Sequence, residues 1–210
     1  MLKSQAQAVA RRKLLAAARA AKPAFDGNGR ALPRAWFLTD PKRTPHPERI
    51  LEKLPPGLGV IYRHYGVKER FAVGAKLARI CRKRRLILLV AADPVLARRI
   101  GADGVHWPER RLRGGLARRS GLATLSAHSV GAIRRAGQLG ADAVFLSPVF
   151  ASASPSAAGK LGAPTFRRMA SGGSLPIYAL GGVNAGNASS VMTHAAGWAA
   201  IEAVIEAWES

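Results

Sequence analysis

A chain of 210 residues with 48% hydrophobic content is long enough for one sizeable core, and one domain is its default organisation. Its 33 Lys and Arg against 12 Asp and Glu give a formal charge of +21, which suits polyanionic partners without choosing among nucleic acid, acidic membrane surfaces and phosphorylated metabolites. The single cysteine, Cys81, excludes an intrachain disulfide framework and a cysteine-rich zinc site and fits a reducing cytoplasm, and no apolar run approaches the ~18 residues of a membrane span.

In chain order, residues 3–22 are rich in Ala, Leu, Lys and Arg and predict a helix ending before Pro23 and the loop Asp26-Gly27-Asn28-Gly29. This segment lacks an apolar core of signal-peptide length. Its Arg-rich, acid-free pattern also matches a transit sequence, and an ordinary helical extension is the reading adopted. Its basic face is taken as solvated rather than nucleic-acid-binding, because no aromatic stacking platform accompanies it.

Ala35–Asp40 reads as a first strand stopped by Pro41, followed by a helix over Pro47–Leu54. Gly59–Tyr65 is a second strand, and Val67–Arg84 a helix with Phe71, Ala75, Ala78 and Cys81 on one stripe. Leu86–Ala92, almost wholly apolar, has the mark of a strand covered on both faces, as in a parallel sheet. A helix over Pro94–Ile100 and a short strand Gly104–Trp107 follow, and the basic stretch Pro108–Ser120 is assigned no element. Leu122–His128 is a strand; Ser129–Leu139 is a helix capped by Ser129 and closed by Gly140. Strand Ala143–Val149 leads into a small-residue loop, Ala151–Gly162, too long for a mere connector. Helix Pro164–Ala170, strand Ile177–Leu180, helix Ala188–Ala195 and strand Trp198–Ala203 complete the series.

Strands alternating with helices through the whole chain predict an α/β fold, a (β/α)8 TIM-type barrel over 35–210 with an extra basic helical extension and linker over 1–34. An open doubly wound sheet would leave so many strands without closure, and no dinucleotide fingerprint follows the first strand. The nearly identical peptides Gly101-Ala102-Asp103-Gly104-Val105 and Gly140-Ala141-Asp142-Ala143-Val144 are each a helix end and strand entry, a recurrence of βα construction. Chemistry in such barrels sits at the strand carboxyl ends, here Thr39-Asp40, Arg63-His64, Ala91-Ala92-Asp93, His106, Ser126-His128, Ser147-Pro148, Gly181-Gly182 and Glu202. The phosphate site follows the seventh and eighth strands, where Gly181-Gly182 offers bare backbone N–H groups. Arg63 is placed to neutralise an anion from across the mouth, and Lys160 in the long sixth loop to close over it.

The motifs LTD at 38–40, Arg63, GADGVHW at 101–107, LSAHS at 125–129, LSPVF at 146–150 with its small-polar loop, ALGGVN at 179–184 and GWAAIE at 197–202 resemble, in that order, the thiamine phosphate synthase and thiazole tautomerase superfamily. The likeness covers about 35–205. It implies a (β/α)8 barrel that joins hydroxymethylpyrimidine diphosphate to thiazole phosphate, with Mg2+ assisting departure of pyrophosphate, and a phosphorylated small-molecule substrate in the cytoplasm.

Carried over by position, the resemblance assigns Gly181, Gly182, Ile201 and Glu202 to backbone donors for the thiazole phosphate, with Glu202 where a Ser is usual. Ser126 and His128 match the fifth-strand motif, His128 serving as acid/base or as a polar filler of the barrel. Arg63 keeps one member of an Arg-acid-Lys diphosphate grip whose other members become His64 and Tyr65. The magnesium carboxylates fall on Ala92, with Asp93 one position late, and on Arg111; Asp93 or Glu109 would have to move in as ligands. The lysine of the sixth-loop Thr-x-Thr-Lys element is missing from Ser152-Ala153-Ser154-Pro155 unless Lys160 substitutes, and the tautomerase histidine is replaced by Pro148. These departures imply a divergent synthase with a degraded magnesium site. The alternatives are a non-catalytic phosphate-binding or regulatory barrel and, third, nucleic-acid binding through the N-terminal helix.

Overall fold

In a computed structural model describing residues 2–111, 121–152 and 159–209, the elements in chain order are α1 (Leu2–Ala20), β1 (Ala35–Leu38), α2 (Pro47–Leu51), β2 (Gly59–Tyr62), α3 (Arg70–Arg84), β3 (Ile87–Ala91), α4 (Pro94–Ile100), β4 (Gly104–Trp107), β5 (Leu122–Ala127), α5 (Val130–Gln138), β6 (Ala143–Leu146), α6 (Gly162–Ala170), β7 (Ile177–Leu180), β8 (Gly197–Ala200) and α7 (Glu202–Trp208). Short 3-10 turns occupy Glu109–Arg111 and Ala188–Val191. Each strand pairs in parallel with its neighbours and β1 pairs with β8, so the sheet closes into the expected (β/α)8 barrel. Residues 112–120 of the basic stretch and 153–158 of the sixth loop, including Ala153, Ser154 and Pro155, lie outside the described residues.

The lower barrel is plugged by aromatics. Trp36, Phe145 and Tyr178 are fully buried; the Trp36 and Phe145 rings meet edge-on at 5.5 Å, and Phe145 stacks on Tyr178 at 4.9 Å. Their polar atoms are satisfied from one carbonyl, since Trp36 Nε1 and Tyr178 OH both donate to Pro33 O, at 3.1 and 2.7 Å. Gly59, paired with Trp36, leaves room for the indole: a Cβ there would lie 2.1 Å from the ring. Above this plug the interior turns polar with Thr39, His106, Thr124 and Ser126, and a cavity opens toward the strand carboxyl ends.

The repeated Gly-Ala-Asp peptides have one physical meaning. Asp103 accepts from Leu88 N and Asp142 from Ala123 N, each at 2.8 Å, tying the entry of one strand to the strand before it. The capping signals hold as well: Ser129 accepts from Ala132 N at 3.1 Å, and Asp93 caps α4 by accepting from Leu96 N at 2.9 Å.

Three elements differ from the sequence expectation. Ala188–Ala195 contains a 3-10 turn rather than a helix, and α1 packs beside it and against β8 and α7. Leu14, fully buried, and Ala17, Ala18 and Ala21 join the barrel's outer core, while Leu14 O accepts from Trp198 Nε1 at 3.0 Å. The last strand ends at Ala200, and Glu202–Trp208 is a helix that buries Ala203, Val204, Ala207 and Trp208. Finally, Phe71 is off the buried stripe of α3, which is Gly74, Leu77, Ala78 and Cys81. Phe71 is 44% exposed and lies under the Arg99 guanidinium, because Tyr62 and Ile100 fill the space beside Gly74.

Candidate functional site

The strand carboxyl ends surround a cavity of about 500 Å³. Arg63 follows β2, His128 follows β5, Ser147 and Pro148 follow β6, Gly181 and Gly182 follow β7, and Ile201 and Glu202 follow β8, so residues far apart in the chain line one space. Of the residues singled out in the sequence, Arg63, His128, Gly181, Gly182, Ile201 and Glu202 line its wall.

The two glycines form a tight turn at its floor. Gly181 has φ +87° and Gly182 φ +65°. A Cβ on Gly181 would come within 2.8 Å of Pro148 Cα, and one on Gly182 within 2.1 Å of Ala151 O. The sixth-loop backbone therefore packs where side chains would stand, and only glycine fits. Asn187, which carries no motif signal in the sequence, pins this turn. Its Nδ2 donates to Gly182 O and its Oδ1 accepts from Asn184 N, both at 2.8 Å.

His128 receives a fixed tautomer. Nδ1 lies 2.7 Å from Ser147 O, a pure acceptor, so Nδ1 carries a hydrogen and Nε2 is the ring nitrogen left for a ligand. Ser126 is half-buried one layer below, its Oγ 2.9 Å from His106 Nε2; His106 Nδ1 is 2.9 Å from Thr124 Oγ1. Burial, aided by the Arg63 charge, pushes the His106 pKa down to about 3, so this buried ring is neutral.

Charge at the opposite rim is ordered by Asp40. Its Oδ1 accepts from the backbone N–H groups of Lys42 and Arg43 at 3.1 Å, and its Oδ2 lies 3.1 Å from Arg43 Nη2 and 3.7 Å from Arg63 Nη2. Burial raises the Asp40 pKa, but the Arg43 hydrogen bonds outweigh it and hold the carboxyl below its ordinary value. Burial lowers the pKa of Arg63, whose backbone N–H donates to Thr39 Oγ1 at 3.0 Å. Arg43 also lines the cavity, and no spacing distinguishes it among so many basic residues.

The remaining candidates are elsewhere. Lys160 is exposed and is not among the cavity-lining residues described. Asp93 is committed to Leu96 N and to Arg70 Nη1 at 2.7 Å. Glu109 accepts from His128 N at 2.9 Å and Arg135 Nη2 at 3.1 Å. Among the described residues no group of three or more His, Cys, Asp or Glu is arranged to hold a metal ion, and Asp93 and Glu109 are each paired with an arginine.

The sequence model of a family described as thiamine monophosphate synthase matches residues 36–204. The thiamine-phosphate synthase of Chloroflexus aurantiacus is 32% identical over 150 residues, 69% of this chain and 69% of that protein. That of Thiobacillus denitrificans is 31% identical over 165 residues, 72% of this chain and 77% of that protein. The solved structure of thiamine phosphate pyrophosphorylase from Pyrococcus furiosus shares the fold, with a TM-score of 0.70 at 22% identity over 83% of this chain and 93% of that one.

Proposed function

We infer that this chain, which belongs to the thiamine monophosphate synthase family, serves thiamine biosynthesis by joining hydroxymethylpyrimidine diphosphate to thiazole phosphate with release of pyrophosphate. The observation that carries this reading is that Arg63 and the Gly181-Gly182 turn face one cavity, a cation and a backbone anion cup on opposite walls.

In the reaction the thiazole nitrogen gives its electron pair to the pyrimidine methylene carbon, a C–N bond forms, and the C–O bond to the diphosphate breaks with its electrons leaving on pyrophosphate. No proton need move in that step, so the protein's work is positioning and stabilising the leaving charge. Gly181, Gly182, Ile201 and Glu202 would hold the thiazole phosphate by backbone N–H groups, and Arg63 would face the diphosphate. His128 would orient the pyrimidine by a hydrogen bond through Nε2 at the cavity wall, and Ser126, bonded to His106 Nε2 one layer below, would support that wall. Magnesium, which the family implies, would supply neutralisation of the pyrophosphate charge when bound, and no step is assigned to it.

The engagement of Asp93 and Glu109 by Arg70 and Arg135 favours one second reading, a barrel that keeps the phosphate cup without turning over. Incubation with both substrates, with and without magnesium, decides between them. Thiamine phosphate should form, and Arg63→Met should lower kcat/KM by about 100-fold or more. Turnover no greater than that of Arg63→Met under either condition overturns the synthase reading, and binding of thiazole phosphate alone then supports the second.

A further inference from the structure

Arg43, in the loop between β1 and α2, divides its guanidinium between two carboxylates that follow the neighbouring strands β1 and β8 at the cavity mouth. Nη2 lies 3.1 Å from Asp40 Oδ2, and Nη1 lies 3.2 Å from Glu202 Oε1. The two partners are unequal. The Asp40 side chain is 16% exposed and is anchored by two backbone N–H groups, whereas that of Glu202 is 55% exposed and can turn into solvent. Arg43 Nη2 is thus held, and Nη1 is exchangeable.

A phosphate monoester entering the cup beside Gly181-Gly182 comes to the wall that carries the Glu202 carboxylate, and the two like charges repel. The same carboxylate holds the only other cation lining that wall besides Arg63, among the described residues. We propose that Arg43 Nη1 passes from Glu202 to the anionic group of the ligand on binding, while Asp40 keeps the guanidinium in place. Arg43 is then a ligand-binding residue and Glu202 a selectivity residue. A dianionic phosphate monoester draws Arg43 away and lets Glu202 swing out; the corresponding alcohol cannot, and the ion pair stays closed. The proposal rests on the placement of thiazole phosphate in this cup.

Calorimetric titration with thiazole phosphate, its unphosphorylated alcohol and inorganic phosphate tests it. The proteins compared are the wild type, Arg43→Met, Glu202→Gln and Arg79→Met, the last removing an equal charge from the exposed face of α3. Arg43→Met should weaken thiazole phosphate and inorganic phosphate by about tenfold or more and leave the alcohol unchanged. Glu202→Gln should tighten both phosphates by about threefold or more. Arg79→Met should stay within about twofold of wild type. Equal phosphate affinity in wild type and Arg43→Met, equal losses for alcohol and phosphate, or weaker phosphate binding by Glu202→Gln each overturns the proposal. If Arg43→Met fails to fold, Glu202→Gln alone still decides. A wild type that binds inorganic phosphate but not thiazole phosphate refutes the thiazole reading while leaving Arg43 to be judged on inorganic phosphate. A wild type that binds neither refutes both.

Discussion

Asn187 uses both ends of its amide on the turn that carries the anion cup, accepting from Asn184 N and donating to Gly182 O. Replacing it with Ala frees a strained turn to relax, so Asn187→Ala should raise KM for thiazole phosphate about tenfold with a smaller change in kcat, and cost about 1–2 kcal/mol of stability. Steady-state kinetics with each substrate varied, together with urea unfolding, measure the two effects. His106 makes a different prediction. Its folded pKa, pushed down by burial to about 3, lies below the unfolded value, so between the two the unfolded chain binds the extra proton. The stability that the neutral ring contributes is fully present above about pH 6.5 and is lost as pH falls toward 3, at up to about 1.4 kcal/mol per pH unit. His64, whose pKa burial also lowers, adds in the same direction. His106→Asn should therefore flatten the acid limb of the urea-stability curve while leaving the His64 portion.

At the scale of elements, α1 does for the barrel what a helix between β7 and β8 would otherwise do. Only the 3-10 turn Ala188–Val191 stands in that connection, and Leu14 with its Ala neighbours covers the exposed flank. Gln7 Nε2 donates to Glu209 O at 2.9 Å and Arg11 Nε to Ala207 O, so the two chain ends are fastened together. Leu14→Ala should then destabilise the whole barrel by about 2–5 kcal/mol rather than fray one helix, seen as a single cooperative urea transition at lower midpoint. The sequence made α1 legible as a helix through its Ala-Leu-Lys-Arg composition, but its place on the barrel depends on contacts nearly two hundred residues away. The end of the chain was harder. Trp198 to Val204 is apolar apart from Glu202, so strand β8 and helix α7 share nearly one composition and the local pattern marks the change at Ile201 only weakly. At Ala188–Ala195 the helix signal was weak from the start, with Ser189, Ser190 and Thr193 all poor helix formers.

Across the whole molecule, closure of the barrel is what made the site readable. The alternation of strands and helices places Arg63, His128, Gly181 and Glu202 at one end before any distance is known, because every parallel strand delivers its carboxyl end to the same rim. The aromatic plug of Trp36, Phe145 and Tyr178 then fills the barrel below it. Arg43 was not legible, since one loop arginine among 33 basic residues has neither period nor partner in sequence, and its partners come from the first and last β/α units. The sixth-loop lysine illustrates the opposite error of proximity in sequence: Lys160 belongs to the loop over the cup and yet does not line the cavity described. The account stands on the Gly181-Gly182 turn as the seat of the substrate phosphate. Titrating thiazole phosphate into the 15N-labelled protein tests this most directly. The account predicts the largest amide shifts at Gly181, Gly182, Ile201 and Glu202, saturating together with one Kd. Saturating shifts confined to α1 or to the strand amino-terminal ends, with the glycine amides unmoved, would contradict it.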